Sequence, residues 1–309
     1  MNDIAKSQPS AASRGSARLV PDWRVHVGAH KTATTHFQAL LSAARAQADA
    51  ADVALLLQDR LRQPAVALRM CPKGWRGLRR RLRLRLRTVR RLRAAVEGAG
   101  RVAASEENFL GFPEDLLHGT FYPDLSGLDF VRRLAGPDRL SLYISIRGYD
   151  GLMASTLFEL MRSTPDARAR WEHGVALLVE GDGGWPDLMR RIERRVPGAR
   201  LHFWCQERYA ADPAGIVAAF LGVPVSNLPV LDKPGSTRSP AASALAEVET
   251  LDPGLPRQER IRRVGEIYAR HPADGGPTLL SSGDADVLAA RYERDVALLR
   301  ARYPELGAP

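Results

Sequence analysis

The amino-acid sequence predicts an α/β fold of three layers, a central parallel sheet with helices on both faces. Three observations carry that expectation. Short apolar runs at 23–27, 101–105, 140–146 and 201–205 have the length and composition of buried strands. Segments with helical periodicity separate them. The first run passes through a short glycine-led loop straight into a helix, and 45% hydrophobic content suffices for a buried core.

Residues 1–20 are polar and rich in Ser and Ala, without the continuous apolar segment of a secretory signal. They are expected to be a disordered tail, and 21–309 a single domain. Strand 23–27 runs into Gly28-Ala29-His30-Lys31-Thr32-Ala33-Thr34-Thr35 and a helix from Thr34 to about residue 50. Further helices are expected at 151–162, 185–196, 213–221, 239–250, 258–269 and 284–303, joined by segments rich in Pro and Gly. Residues 73–96 read as a basic helical insertion between the first two strands, with Leu78, Leu82, Leu86, Val89, Leu92 and Val96 as its apolar stripe.

A loop that turns from a strand into a helix presents unpaired backbone N–H groups and the positive end of the helix dipole, which suits a phosphate. Gly28 permits the tight turn, Lys31 adds a full charge, and Thr32, Thr34 and Thr35 offer hydroxyls. The spacing is not that of a nucleotide P-loop, G-x-x-x-x-G-K-[ST], because Lys31 follows Gly28 by three residues with no glycine before the lysine. A second site is expected where strand 140–146 delivers Arg147 at its carboxyl end, with Ser155 eight residues on. An arginine fork and a hydroxyl there make a receptor for a phosphate monoester.

The loop resembles the 5′-phosphosulfate-binding loop of the PAPS-dependent sulfotransferases, in particular bacterial members and the heparan N-sulfotransferase domain, where it reads close to G-x-x-K-T-G-T-T. The Arg147/Ser155 pair resembles that family's 3′-phosphate motif. The resemblance implies a P-loop-type fold and 3′-phosphoadenosine 5′-phosphosulfate (PAPS) as sulfuryl donor. Gly28, Lys31, Thr32, Ala33, Thr34, Thr35, Arg147 and Ser155 then hold the donor, with Arg238 added from a late basic loop, 233–239. It also implies Lys31 as the group that stabilises the leaving phosphate. The chain departs from the pattern at Ala33, where the family has glycine; a Cβ there either fits a negative φ or crowds the phosphate. An acceptor hydroxyl or amine must lose a proton. Glu106 in Ser105-Glu106-Glu107-Asn108-Phe109 best matches the family's base, with Glu107 its close competitor and His30 a third candidate.

The net charge of +10 is local: residues 60–96 hold fourteen Lys or Arg and no acid. Ten are arginines from Arg76 to Arg93, where an ordinary surface helix carries Glu at i±4. Beside a plain solvated face, this suggests an anionic membrane surface or another polyanion as partner. Nucleic acid is disfavoured, since no aromatics interleave and no reading motif is present. The acceptor stays open between glycan, lipid and small molecule. Cys71 and Cys205 sit in unlike contexts and suggest no disulfide, so a reducing cytoplasm is expected, with peripheral membrane association through the basic helix. No apolar run reaches the ~18 residues of a membrane span, and no His, Cys or carboxylate spacing suggests a metal. Two alternatives stand beside the sulfotransferase: an ATP-dependent P-loop kinase, and a non-catalytic membrane- or polyanion-binding protein acting through the basic helix.

Overall fold

The computed structural model describes residues 21–69, 75–230, 240–272 and 279–307. The expected tail, Cys71 and Arg238 lie outside the described residues, as do the side chains of Arg76 and Leu78. Five strands, β1 (Asp22–Gly28), β2 (Val53–Leu56), β3 (Arg101–Ser105), β4 (Leu140–Ile146) and β5 (Arg200–Cys205), form one parallel sheet in the order β2-β3-β1-β4-β5. The fold is therefore α/β, as the alternation of apolar runs and helices predicts. Strand β2 is the element the apolar pattern does not reveal. Its four residues follow an alanine-rich helix after only a short turn at Ala51 and Asp52 (φ 57°), and so short a run shows no change of period. The basic insertion accordingly lies between the second and third strands, not the first two.

The helices are α1 (Thr34–Ala43), α2 (Arg45–Ala50), α3 (Gln58–Arg69), α4 (Trp75–Ala95), α5 (Gly127–Ala135), α6 (Tyr149–Met161) and α7 (Ala167–Glu180). They continue as α8 (Trp185–Arg195), α9 (Gln206–Ala211), α10 (Pro213–Leu221), α11 (Ser243–Glu249), α12 (Arg257–Arg270) and α13 (Ser282–Arg300). The single helix expected to reach residue 50 is two, because the chain bends at Ala44 (ψ 1°) while Ala44 and Ala48 both stay buried.

The pleat of the strands sorts the core into two clusters. Trp23, Val25 and Val27 of β1, with Leu142, Ile144 and Ile146 of β4, face the larger cluster, which also takes side chains from α3–α8 and α11–α13. Ala103, Tyr143 and Trp204 face the other, under α1, α2, α9 and α10. The chain leaving β1 therefore climbs one face, into α1, while the chain leaving the adjacent β4 climbs the opposite face, into α6. Divergence of this kind opens a crevice at the carboxyl ends of the two strands, where ligands of open α/β sheets bind. The outer edge of β5 is covered by the chain end, with Phe203 N bonded to Pro304 O and Leu306 N to Phe203 O.

The stripe expected on the basic helix is only half buried. Val89, Leu92 and Val96 join the core, but Leu82 and Leu86 are 48% and 42% exposed. Helix α4 meets the body through its C-terminal half, where Arg93 donates to the carbonyls of Leu134 and Arg133, and through Arg85, which donates to Ser126 O. Leu84 packs against the core while Leu82 and Leu86 stay exposed, so the stripe finds only a partial counterface among the described residues.

Candidate functional site

The crevice beside β1 is lined by the loop that follows that strand. Gly28 has φ +106°, and a Cβ there would sit 3.1 Å from the Cβ of Glu107, so both conformation and space call for glycine. Lys31 and Ala33 also have positive φ, 64° and 66°. For non-glycine residues such conformations are held by their surroundings and cluster at binding sites. Ala33 thus takes the left-handed conformation natural to glycine, and the negative-φ alternative does not apply. Ala33 is the N-cap of α1 and supplies no side-chain acceptor, so the first-turn N–H groups of the helix are left for an anion.

The threonines do not all face outward. Thr32 and Thr34 are buried and both donate to Ala29 O, at 2.6 and 3.1 Å, leaving Thr35 as the exposed hydroxyl. Below the loop a buried polar chain fixes its floor: Thr32 Oγ1 meets Ser145 Oγ, His26 bridges Ser145 Oγ (3.1 Å) and Ser105 Oγ (2.9 Å), and Gln38 Nε2 donates to Ser105. Burial pushes the His26 imidazole down to about 3, so it bridges as the neutral ring. His26 stacks on Trp204 and meets the edge of Phe37, so the core and the loop floor share one residue.

Strand β4 contributes the opposing wall. Arg147 Nη1 donates to Lys31 O at 3.0 Å, and Trp185 Nε1 holds Arg147 O at 2.9 Å. The guanidinium lies against Gly151, where a Cβ would come within 2.8 Å of Nε. Lys31 Nζ meets Glu159 Oε2 at 3.3 Å. Gly151, Ser155 and Glu159 recur at i+4, so one face of α6 presents in turn the seat of Arg147, the Ser155 hydroxyl and the partner of Lys31. Ser155 is mid-helix and buried rather than at a helix start. Glu159 was not anticipated from the sequence; its i+4 spacing from Ser155 is the signal that could have found it.

On the β3 side, Glu106 is fully buried. Its Oε1 accepts from Asn108 N at 3.0 Å and from the Asn108 amide, while Oε2 lies 3.5 Å from Arg62 Nε and has no hydrogen-bond partner among the described residues. Glu107 is partly exposed, 3.4 Å from Arg62 Nη2, with Thr34 and Lys31 close enough to act on it. Burial raises both carboxyls above the ordinary range, against the opposing pull of Asn108 and Arg62 on Glu106 and of Arg62, Thr34 and Lys31 on Glu107. Arg62 belongs to α3, and basic composition alone did not single it out. His30 is buried: its backbone N–H donates to Tyr122 Oη, its Nδ1 lies 3.0 Å from the same oxygen, and burial with the Lys31 charge holds the ring down to about 3. Such a ring is a feeble proton acceptor at neutral pH.

The site thus gathers Lys31, Arg147, Ser155, Glu106 and Glu107 around one loop. It offers a helix N-terminus and two cations to an anion, with a partly exposed carboxylate alongside. Among the described residues no group of three His, Cys, Asp or Glu is arranged to hold a metal ion. No family model matches the chain, and neither a curated protein nor a solved structure does.

Proposed function

We propose that this protein is a sulfotransferase that moves the sulfuryl group of PAPS to a hydroxyl or amine. The observation that carries the reading is the convergence of two motifs far apart in sequence. Arg147, at the end of β4, donates to the backbone of Lys31 in the loop after β1, with Ser155 on the adjoining face of α6. A donor with phosphate at both its 3′ and 5′ positions calls for two anion receptors at neighbouring strand ends. The loop N–H groups, Lys31 and Thr35 suit the 5′-phosphosulfate; Arg147 and Ser155 suit the 3′-phosphate.

In the proposed reaction the acceptor oxygen or nitrogen attacks sulfur, the bond from sulfur to the bridging phosphate oxygen breaks, and adenosine 3′,5′-bisphosphate leaves. Lys31 exchanges Glu159 for that bridging oxygen and stabilises its growing charge. The acceptor proton passes to a carboxylate. Glu107 is better placed than Glu106 for this task, being partly open to the crevice, whereas Glu106 is closed off and serves as a cap for its own loop. The raised affinity of the Glu107 carboxyl for protons, due first to burial, strengthens it as an acceptor.

The test compares thermal stabilisation by adenosine 3′,5′-bisphosphate and by ATP, on the wild type and on Arg147→Ala. A ligand at a hundred times its Kd stabilises the folded state by about 2.7 kcal/mol. The expected result is stabilisation by the bisphosphate, little by ATP, and its loss in Arg147→Ala. Equal or stronger stabilisation by ATP would assign the site to an ATP-using enzyme, and no effect of either nucleotide would remove the donor reading.

A further inference from the structure

We propose that α4 docks the protein on an anionic lipid surface, independently of the reaction assigned to the crevice. Arg83, Arg87, Arg90 and Arg91 are exposed and form no ion pair among the described residues. They stand at i+3 and i+4 from one another, so like charges neighbour each other along this arc. Leu82 and Leu86, one turn apart, stand at the border of this arginine arc, 48% and 42% exposed. Few large apolar side chains are so open among the described residues, and these two are adjacent on one helix.

The combination selects the partner. A soluble polyanion would engage the guanidinium groups and leave both leucines in water. An anionic lipid interface accepts both, the leucines entering the acyl boundary and the arginines pairing with headgroup phosphates. Helix α4 is fastened by Val89, Leu92 and the hydrogen bonds of Arg85 and Arg93, so Leu82, Leu86 and the arginine arc are presented on an anchored helix. None of the described helices is long and apolar enough to cross a membrane, which makes the contact a surface one.

The experiment is co-flotation of the full chain with vesicles of phosphatidylcholine alone and with phosphatidylglycerol mixed in, beside retention on a heparin column. Two double variants are compared with the wild type, Leu82→Gln/Leu86→Gln and Arg83→Gln/Arg87→Gln; all four positions are exposed, and an unchanged thermal midpoint verifies folding. The wild type is expected to float with the mixed vesicles and not with phosphatidylcholine alone. Each double variant should bind the mixed vesicles at least about tenfold more weakly. Heparin retention should fall only for the arginine variant. Absence of binding to the mixed vesicles would overturn the proposal. So would a leucine variant that binds them as tightly as wild type, and in that case heparin retention would point to a soluble polyanion.

Discussion

Ala33 and Lys31 hold left-handed backbone conformations that cost an ordinary L-residue roughly 1–2 kcal/mol each. Replacing Ala33 by glycine removes that cost and adds about 0.4–1 kcal/mol of unfolded-chain entropy, so a net gain of about 0.5–1 kcal/mol is expected. A rise of roughly 1–2 °C in the thermal midpoint would register it; a fall would mean that the Ala33 methyl makes contacts worth more than the strain. Lys31→Gly gains from the same relief while losing the ammonium. It should remain as stable as the wild type yet lose most of its stabilisation by the bisphosphate, separating the fold's interest in this residue from the ligand's.

Helix α4 makes unequal use of its leucines. Leu92 is buried against the body, and Leu92→Ala should cost about 2–5 kcal/mol in urea unfolding. Leu82→Ala and Leu86→Ala, at exposed positions, should stay within about 0.5 kcal/mol of the wild type. Comparable losses at all three would mean that Leu82 and Leu86 have a counterface as well. Helix α6 carries a test of the anion wall, because Gly151 seats the Arg147 guanidinium. Gly151→Ala improves helix propensity by about 1 kcal/mol and displaces that guanidinium. Bisphosphate affinity should drop by about tenfold, the size of one lost charge-assisted hydrogen bond, without loss of stability. Titration of both proteins by calorimetry would decide it.

For the molecule as a whole, buried titratable groups set the pH dependence of stability. His26 has a folded value of about 3 and is buried, so below its ordinary 6.5 the unfolded chain takes up a proton that the folded chain refuses. Its share of stability is present above pH 6.5 and lost as the pH falls toward 3. His26→Asn should therefore be less stable than the wild type at pH 7, with the gap closing by up to about 1.4 kcal/mol per pH unit on acidification. Glu107 has the opposite sign. Its folded value is raised by burial, so the stability it contributes is present at low pH and declines as pH rises through that raised value. Glu107→Gln should gain on the wild type as the pH increases. Urea unfolding of the three proteins between pH 4.5 and pH 8 checks both slopes.

What the sequence determined by itself was local and periodic. The apolar runs at 140–146 and 201–205, the turn at Gly28, and the helical spacing that follows imply parallel strands whose carboxyl ends share one edge. The loop after β1 and Arg147 therefore had to lie on the same side of the sheet. Tertiary structure alone decided that Thr32 and Thr34 turn inward to Ala29 O, that Lys31 reaches Glu159, that Glu106 closes on Asn108 while Glu107 stays partly exposed, and that Leu82 and Leu86 remain exposed. Each depends on a surface supplied by residues distant in sequence or by the closure of a tight loop. Such packing is settled by the competition for buried volume and hydrogen-bond partners, which leaves no periodic mark along the chain.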